Sequence, residues 1–579
     1  MRILVVGGGG REHALAWALK KGQEAGGRGQ RVELHAVPGN PGIAEIATCH
    51  AGNAENLPEV ARLAERLQPN LVVVGPEDPL CNGLVDMLAE KGMKAFGPEK
   101  RAAVLEGSKV FAREFMGRHG IPQPKFELFD DAESARRHLD QVGAPVVVKA
   151  DGLAKGKGAI VCSTREEAET AIEDVLEKRL FGQAGERILI EERLQGQEAT
   201  VKAFCDGERL AMMVPSQDYK RVYDGDRGPN TGGMGCYSPV PAATPGIMAD
   251  IVRQVMEPTL KGMADEGRPY RGVLYAGMML TKEGPKVMEF NCRFGDPETQ
   301  VVLPRLRTDL SEVLQACVEG RLGEVSLKWG DECAVCVVAA SGGYPAEYER
   351  GKVITGLEGP LPDQALAFHA GTARKGDALV TNGGRVLGIT GLGKDFNEAR
   401  EKAYKAMEQV HFDGMHYRQD IAANPLRRIG ADSDGIRGLE RELLHADLTG
   451  KVIGAAMEVH RTLGPGFLES VYQEALAQEF RERQVPFERQ KPVEVEYKGT
   501  VAGEFRADFL VAGRVLVELK AASALTALDE AQVVNYLRGT AAEVGILLNF
   551  GESSLRYRRL ILTKKVKSAK SAANPRNPR

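Results

Sequence analysis

One stretch near the middle of the chain combines the residue types of a metal and phosphate site. It reads Val-Met-Glu-Phe-Asn-Cys-Arg, from Val287 to Arg293. On a β-strand alternate side chains share a face, so Glu289, Asn291 and Arg293 would point the same way. A carboxylate and an amide oxygen suit Mg²⁺ shared with a nucleotide, and the guanidinium could bind a phosphate or a carboxylate. A cross-strand polar pair without a metal explains the same residues, and the residues alone leave both interpretations open.

A second stretch places lysines beside glycines. The apolar segment from Pro145 to Lys149 leads into Ala-Asp-Gly-Leu-Ala-Lys-Gly-Lys-Gly, which ends at Gly158. Lysine neutralises phosphate oxygens, and glycine lets the backbone approach them, although the spacing is not that of a Walker A loop. Lys149 ends an apolar strand, where an unpaired charge is costly, so it is the stronger candidate. Lys155 also fits a solvated hairpin.

A glycine turn follows the first predicted strand. Gly7 to Gly10 precede Arg11 and Glu12, and backbone N–H groups at the start of a helix bind anions, so we predict a phosphate site here. A dinucleotide fingerprint would need a third glycine at position 12, which is Glu12, and this disfavours NAD(P). Glu77 follows the strand Leu71 to Val74 at its carboxyl end, where it either holds sugar hydroxyls or lies in a solvated turn.

These residues must be positioned by several folding units, and the predicted class is α/β and α+β multidomain. Strands and helices alternate at the N-terminus, which predicts a doubly wound parallel sheet. Two glycine-rich loops, 151–158 and 225–235, are typical of loops that cover ligands. The predicted segments are a Rossmann-like domain (1–102), a central domain (103–325), a small α+β lobe (326–424), a linker (425–445), a further domain (446–563) and a basic disordered tail (564–579).

Composition is that of an ordinary globular protein. A chain of 579 residues is too long to fold around a single hydrophobic core. Of its residues 43% are hydrophobic and 27% are charged, and the formal net charge is −4. No global basic field indicates nucleic acid, and no apolar run reaches the roughly 20 residues of a membrane span. The N-terminus lacks the pattern of a signal peptide, and the nine cysteines are scattered, so we expect reduced thiols and a cytoplasmic location.

Residues 1–424 resemble the ATP-grasp phosphoribosylamine–glycine ligases. The matching segments occur in order and read GGGGREHAL, GPEDPL, EGSKVFAREFM, VVVKADGLAKGKG, SQDYKRVYDGDRGPNTGGMG, GVLYAGMML and MEFNCRFGDPETQ. The resemblance implies an ATP-grasp core of two lobes, completed by the N-terminal domain and the small lobe. It also implies a reaction in which ATP, glycine and 5-phosphoribosylamine give glycinamide ribonucleotide, ADP and phosphate through an acyl phosphate of glycine. Such transfer depends on positioning and charge neutralisation.

The resemblance also implies roles for individual residues and a monomer or weak dimer. ATP would be contacted by Lys109, Lys149, Lys155, Glu191, Glu192 and Glu198. Glu289 and Asn291 would hold Mg²⁺ or Mn²⁺, Arg293 and Asp218 would orient glycine, and Lys220 would be a further catalytic residue. Phosphoribosylamine would meet Gly9, Gly10, Arg11, Glu77 and Asp296.

The C-terminal domain resembles a different family, named for its GxxExxY motif, here Gly466, Glu469 and Tyr472. Its later residues Asp508, Glu518 and Lys520 have the form of PD-(D/E)xK nucleases, and Gln532 and Glu469 could complete that site. Glu518 and Lys520 share a strand face, so the carboxylates could hold a divalent ion while the lysine orients water. A non-catalytic module that binds nucleic acid or protein is the alternative. Nucleic acid is therefore a candidate partner of this domain alone.

Overall fold

The computed structural model describes residues 1–24, 32–153, 158–423, 446–497, 500–540, 542–552 and 555–561. Its contacts divide the chain into two compact units, Met1–Gly430 and Ala431–Arg579. Lys155, the predicted linker 425–445 and the basic tail 564–579 lie outside the described residues. Within those residues no helix combines the length and the apolar character that crossing a membrane requires.

The first unit is a mixture of parallel and antiparallel sheets with helices between them. In chain order its strands are β1 (Arg2–Gly7), β2 (Glu33–Pro38), β3 (Thr48–Cys49), β4 (Leu71–Val74), β5 (Ala95–Phe96), β6 (Phe126–Phe129), β7 (Val146–Ala150), β8 (Ala159–Cys162), β9 (Ile188–Glu192), β10 (Gln197–Asp206), β11 (Leu210–Met212), β12 (Gln217–Asp218), β13 (Arg221–Tyr223), β14 (Arg227–Asn230), β15 (Gly235–Ser238), β16 (Arg271–Thr281), β17 (Gly284–Asn291), β18 (Cys333–Ala340), β19 (Leu366–His369), β20 (Thr372–Lys375), β21 (Ala378–Thr381) and β22 (Arg385–Gly393).

Its helices connect these strands along the chain. They are α1 (Gly10–Glu24), α2 (Leu57–Leu67), α3 (Glu77–Cys81), α4 (Leu84–Glu90), α5 (Lys100–Gly107), α6 (Lys109–Arg118), α7 (Ala132–Val142), α8 (Arg165–Ile172), α9 (Pro245–Ile251), α10 (Glu257–Asp265), α11 (Thr299–Val302), α12 (Leu310–Glu319) and α13 (Phe396–Met407).

The N-terminal sheet is parallel, with strand order β3-β2-β1-β4-β5. The predicted parallel sheet is therefore confirmed, although the two-residue strands β3 and β5 were too short to show a pattern. Alternate residues of β1 enter two different cores: Leu4 and Val6 pack with residues of β10 and β16, whereas Ile3 and Val5 pack with residues of β18. Because both faces of β1 are buried, the end of this strand lies next to the sheets that contain β10, β16 and β18.

Two antiparallel sheets follow, in the orders β6-β9-β7-β8 and β11-β10-β16-β17. The first carries Lys149 on β7 and Glu191 on its neighbour β9. The second carries Glu289 and Asn291 on β17, opposite Gly277 and Tyr275 of β16. Two sheets thus bring the predicted nucleotide and metal residues into one unit.

A third sheet, β12-β15-β18-β22-β19, joins strands from both the central segment and the small lobe. The predicted loop 225–235 is only partly a loop, because β14 pairs with β13 in a hairpin and β15 begins at Gly235. Exposed polar residues on β14 gave no apolar alternation, so the sequence could not indicate this strand.

The second unit is one five-stranded sheet covered by helices on both faces. Its elements are α14 (Ala446–Leu463), α15 (Glu469–Glu482), β23 (Phe487–Tyr497), β24 (Thr500–Val511), β25 (Val515–Lys520), α16 (Ala527–Gly539), β26 (Val544–Asn549) and β27 (Arg556–Ile561). The strand order is β23-β24-β25-β26-β27, and only β25 and β26 are parallel. Residues of α14 and α15 pack on one face, and residues of α16 pack on the other. The α/β and α+β multidomain prediction is confirmed.

Candidate functional site

An acidic side chain between two arginines marks the carboxyl edge of the N-terminal sheet. Glu77 begins α3 directly after β4, and Arg11 lies in the first turn of α1 directly after β1. Glu77 Oε2 lies 3.5 Å from Arg11 Nη1 and 3.2 Å from Arg293 Nε. Burial alone would raise the pKa of Glu77, but Arg293 and Arg11 outweigh it and lower that pKa to about 2. The carboxylate is therefore a fixed negative charge at neutral pH.

Asp296 lies beside the glycine turn on its other side. Its carboxylate accepts hydrogen bonds from Gln300 Nε2 at 2.7 Å and from Arg385 Nη2 at 3.0 Å. A Cβ placed on Gly10 would lie 3.7 Å from Asp296 Oδ1, and one on Gly9 would lie 3.7 Å from Asp296 Oδ2. The structure thus brings together the residues predicted for phosphoribosylamine.

The turn itself contains a carboxylate where we predicted a phosphate. Gly9 N–H donates to Glu12 Oε2 at 2.7 Å, and Arg11 Nε donates to Glu12 Oε1 at 2.6 Å. Glu12 is buried, with 2% of its surface exposed. The Gly9 N–H group therefore already has an acceptor in this structure, and the phosphate site at this turn stays a prediction.

Arg293 joins this cluster to the predicted metal pair. Its guanidinium reaches Glu106 Oε1 at 3.0 Å and Asn291 Oδ1 at 3.4 Å, in addition to Glu77. Burial, acting first, raises the pKa of Glu106, while Arg293 opposes that rise. The sequence predicts that the side chains of Asn291 and Arg293 point the same way, and their contact agrees with that prediction.

Glu289 lies among ammonium groups. Lys220 Nζ is 4.0 Å from Glu289 Oε1 and 3.4 Å from Glu198 Oε2. Burial would raise the pKa of Glu289, but Lys220, Lys149 and Lys109 together lower it, so the carboxylate is ionised. The pKa of Lys220 is raised well above its ordinary value, chiefly by Glu198 and also by Asp218 on β12, against the effect of burial. The group is therefore a set of alternating charges, and its lysines are of the type that neutralises phosphate oxygens.

The residues present fit a divalent metal only in part. No group of three or more His, Cys, Asp or Glu side chains suited to a metal occurs in the described part of the chain. Glu289 and Asn291 offer two hard oxygen ligands, fewer than the six that Mg²⁺ takes. Such a pair suits a metal whose remaining ligands are phosphate oxygens and water.

A buried ion triad holds Lys149. Its Nζ lies 2.8 Å from Glu191 Oε2 and donates to Met288 O at 2.9 Å. Arg113 binds the same carboxylate with both ends of its fork, Nε to Oε1 at 2.7 Å and Nη2 to Oε2 at 2.8 Å. Burial lowers the pKa of Lys149, and Glu191 offsets part of that shift. The expected burial of Lys149 at a strand end agrees with the structure, and the carboxylate of Glu191 is occupied by these two cations.

The remaining predicted nucleotide residues lie around this triad. Lys109 Nζ donates to Gly152 O at 2.8 Å, which ties the first residue of α6 to the start of the lysine loop. Glu192 Oε1 accepts from Lys125 N at 3.1 Å and lies 3.4 Å from Lys286 Nζ.

The second unit assembles its own acidic site at the end of β25. Lys520 Nζ and Gln532 Nε2 both reach Glu518 Oε1, at 3.1 Å and 2.8 Å. Asp508 Oδ2 accepts from Leu519 N at 2.8 Å. Glu518 Oε2 is buried and has no hydrogen-bond partner among the described residues. Burial, then Asp508, raise the pKa of Glu518 to about 7, so a cation at this oxygen would stabilise the charged form.

The GxxExxY motif fixes the backbone around that site. Gly464 and Gly466 have φ values of +69° and +107°, which only glycine adopts readily. Tyr472 hydroxyl donates to Gly464 O at 2.7 Å and accepts from Phe467 N at 3.2 Å. Glu469 Oε1 accepts from Ala521 N at 3.2 Å, the residue after Lys520. In this structure Glu469 holds the end of the strand that carries Glu518 and Lys520.

Several residues of these sites escaped the sequence reasoning. They are Glu12, Glu106, Arg113, Arg385 and Gln473, the last of which donates from Nε2 to Asp508 Oδ1 at 3.0 Å. Only Glu12 carried a local signal, because a glutamate three residues after the N-cap of a helix matches half of a capping box. The others act through contacts distant in sequence.

Both units of the chain are similar to known protein families. The N, ATP-grasp (A) and C domain models of phosphoribosylglycinamide synthetase match residues 1–106, 107–299 and 334–424. A phosphoribosylamine–glycine ligase of Caldanaerobacter subterraneus subsp. tengcongensis is 46% identical over 424 residues, which cover 73% of this chain and 100% of the relative. Another, from Allochromatium vinosum, is 48% identical over 435 residues, with coverage of 74% and 99%.

Structural comparison agrees. The crystal structure of a phosphoribosylamine–glycine ligase from Thermotoga maritima has a TM-score of 0.64 and 37% identity, and covers 73% of this chain and 100% of that one. Residues 446–560 match the model of the PD-(D/E)XK nuclease superfamily.

Proposed function

Since this chain belongs to the phosphoribosylamine–glycine ligase family through residues 1–424, we propose that its first unit joins glycine to 5-phosphoribosylamine with hydrolysis of ATP. The products are glycinamide ribonucleotide, ADP and phosphate. The observation that carries this function is that one unit contains two charged clusters, Glu289 among three lysines and Glu77 between two arginines. The cluster around Glu289 suits a nucleotide bound together with a divalent metal ion. The cluster around Glu77 suits a sugar with polar groups.

The chemistry needs positioning more than a protein nucleophile. An oxygen of the glycine carboxylate takes the γ-phosphoryl group, and the bond from phosphorus to the ADP oxygen breaks. The sugar amine then forms a bond to the glycine carbonyl carbon, phosphate leaves with the electron pair of the carbon–oxygen bond, and the amine nitrogen releases a proton to phosphate or water. A divalent metal at Glu289 and Asn291 would supply charge neutralisation during the transfer. Lys109, Lys149 and Lys220 would hold the phosphate oxygens in line.

Substrate roles follow from the charges. The pKa of Glu77 at about 2 makes this carboxylate a poor general base at neutral pH, so it acts as an acceptor of sugar hydroxyls. Arg11 and Asp296 border the same space and complete the phosphoribosylamine site with Gly9 and Gly10. Arg293 and Asp218 would orient glycine.

Nucleotide roles follow from the positions around Lys149. Glu191, whose carboxylate lies 2.8 Å from the Lys149 ammonium, and Glu192 would contact adenine, and Glu198 would contact the ribose. Lys155 would also contact ATP. Mg²⁺ is the proposed metal, and comparison of initial rates with Mg²⁺ and Mn²⁺ distinguishes the two. A monomer or weak dimer is expected in sedimentation.

The test is phosphate release by the purified chain. Release should require ATP, a divalent metal, glycine and freshly made phosphoribosylamine together, and omission of any one should stop it. Turnover with alanine in place of glycine at an equal rate, or no turnover by folded protein, would refute the ligase function.

For the second unit we propose a metal-dependent nuclease, carried by the unpartnered oxygen Glu518 Oε2 next to Asp508 and Lys520. The full chain should cut some DNA or RNA with Mg²⁺ or Mn²⁺, and Lys520→Ala should stop cleavage. Lys491→Ala, a lysine paired with Glu488 on the neighbouring part of the sheet, serves as the matched control. Binding of nucleic acid or protein without cleavage would favour the alternative, a non-catalytic binding module.

A further inference from the structure

The glycine turn after β1 is filled by a side chain of its own helix. Glu12 is the third residue of α1, and its carboxylate accepts the N–H of Gly9 at 2.7 Å. This is where a glycine turn at a helix start ordinarily receives an anion. The other carboxylate oxygen accepts Arg11 Nε at 2.6 Å.

Two glycines make room for this carboxylate. A Cβ on Gly7, the last residue of β1, would lie 2.6 Å from Glu12 Cγ, and a Cβ on Gly75, which follows β4, would lie 2.1 Å from Glu12 Oε1. Both distances are shorter than any real contact between such atoms. The glycines at the ends of two neighbouring strands therefore admit a glutamate rather than a ligand.

The same carboxylate sets the direction of Arg11. With Nε on Glu12, the guanidinium directs Nη1 to Phe294 O at 3.2 Å and to Glu77 Oε2 at 3.5 Å. Nη2 makes no hydrogen bond within the described residues. A planar guanidinium that is held at both Nε and Nη1 has one orientation, so the direction of its remaining donor is fixed as well.

We propose that the Glu12 carboxylate is an internal anion that takes the place of a bound phosphate in this turn and holds Arg11 in the orientation that phosphoribosylamine requires. Glu12 is thus a positioning and specificity-determining residue. It excludes free phosphate groups from the turn, so the sugar and not the phosphate of the substrate faces Gly9. The positioning part rests on the proposed ligase function, whereas the exclusion of phosphate does not.

The first experiment distinguishes the effect of the negative charge of Glu12 from the effect of its hydrogen bond to the Gly9 N–H group. Glu12→Gln keeps an oxygen for the Gly9 N–H but removes the negative charge that binds Arg11. Loss of a hydrogen bond between charged groups predicts a rise of about tenfold or more in KM for phosphoribosylamine. The KM for ATP should change by less than about twofold, and thermal unfolding should stay near that of the unaltered chain. Glu90→Gln, an exposed glutamate at the end of α4, is the matched control.

The second experiment needs no turnover. Glu12→Gly empties the turn, so inorganic phosphate should bind at least about tenfold more tightly than to the unaltered chain. Calorimetric titration is done with the nucleotide site saturated by a non-hydrolysable ATP analogue and Mg²⁺, which keeps phosphate from that site. Tryptophan fluorescence checks that the variant is folded, and if it is not, Glu12→Ala replaces it.

If the unaltered chain is an active ligase and Glu12→Gln leaves the KM for phosphoribosylamine unchanged, Glu12 does not position Arg11 for that substrate. Equal affinity for phosphate in the folded Glu12→Gly or Glu12→Ala variant and the unaltered chain would overturn the exclusion. A lack of activity in the unaltered chain would instead refute the proposed function, and the phosphate titration would still decide the exclusion.

Discussion

Two buried histidines predict that the first unit loses stability in mild acid. His13 on α1 accepts the N–H of His369 at its Nδ1, at 2.8 Å. Burial lowers the pKa of His13 from an ordinary 6.5 to about 3, with His369 adding to the shift. Burial likewise lowers the pKa of His369 to about 4, with Arg374 adding to the shift. Both rings are therefore neutral in the folded chain under conditions where the unfolded chain would bind protons.

The sign and the magnitude follow from these pKa values. Stability from each histidine is fully present above about pH 6.5 and is lost as the pH falls toward 4 for His369 and 3 for His13. At about pH 5 an unfolded histidine is 1.5 units below its ordinary pKa of 6.5, which at about 1.4 kcal/mol per unit is about 2 kcal/mol for each ring.

The assay is urea unfolding followed by tryptophan fluorescence at about pH 7.5 and about pH 5. Both tryptophans, Trp17 and Trp329, belong to the first unit, so the signal reports that unit alone. The Trp17 ring lies 6.0 Å from Phe368, next to His369. His13→Asn keeps an acceptor but cannot titrate. The advantage of the unaltered chain over His13→Asn should shrink by about 2 kcal/mol between the two pH values. Parallel stability curves would refute the argument that burial keeps His13 neutral.

Four further results are expected. Glu289→Ala should abolish phosphate release with an unchanged circular dichroism spectrum, because the metal loses a hard ligand, and activity near that of the unaltered chain would show a merely structural pair. Arg113→Gln should raise the KM for ATP about tenfold or more by releasing Glu191 from its fork, while Arg118→Gln, an exposed arginine on the same helix, should not. Fragment 1–430 should keep full ligase activity, and its loss would contradict the division at that residue. Glu518→Gln should weaken Mn²⁺ binding measured by calorimetry, and unchanged affinity would exclude Glu518 as a ligand.

Apolar strands were the part of the fold that the sequence predicted best. Continuous apolar runs placed β1, β4 and β18 within one residue of their ends, because strands buried on both faces leave such runs. Hairpins such as β13 and β14 could not be predicted in this way, since their strands are short and the residues of β14 are mostly exposed.

The candidate site was predictable in its residues but not in its pairings. Lys149 was identified from its position at the end of an apolar strand, yet its contact with Met288 O spans 139 residues. The link from Arg113 to Glu191 spans 78 residues, and the link from Arg385 to Asp296 spans 89. Contacts at such separations depend on how sheets meet, and no local pattern of residue types encodes them.

The motif that marks the second unit in sequence has an evolutionary consequence. Gly466 and Tyr472 shape a turn, whereas Glu469 fastens the backbone after Lys520 and also lies close enough to Lys520 and Asp508 to act on their charges. A descendant that lost Glu518 or Lys520 would keep the turn that Gly466 and Tyr472 shape and the backbone contact of Glu469. Surveys of genomes by this motif should therefore collect silent paralogues together with active ones, and sorting them requires the residues at positions 508, 518 and 520.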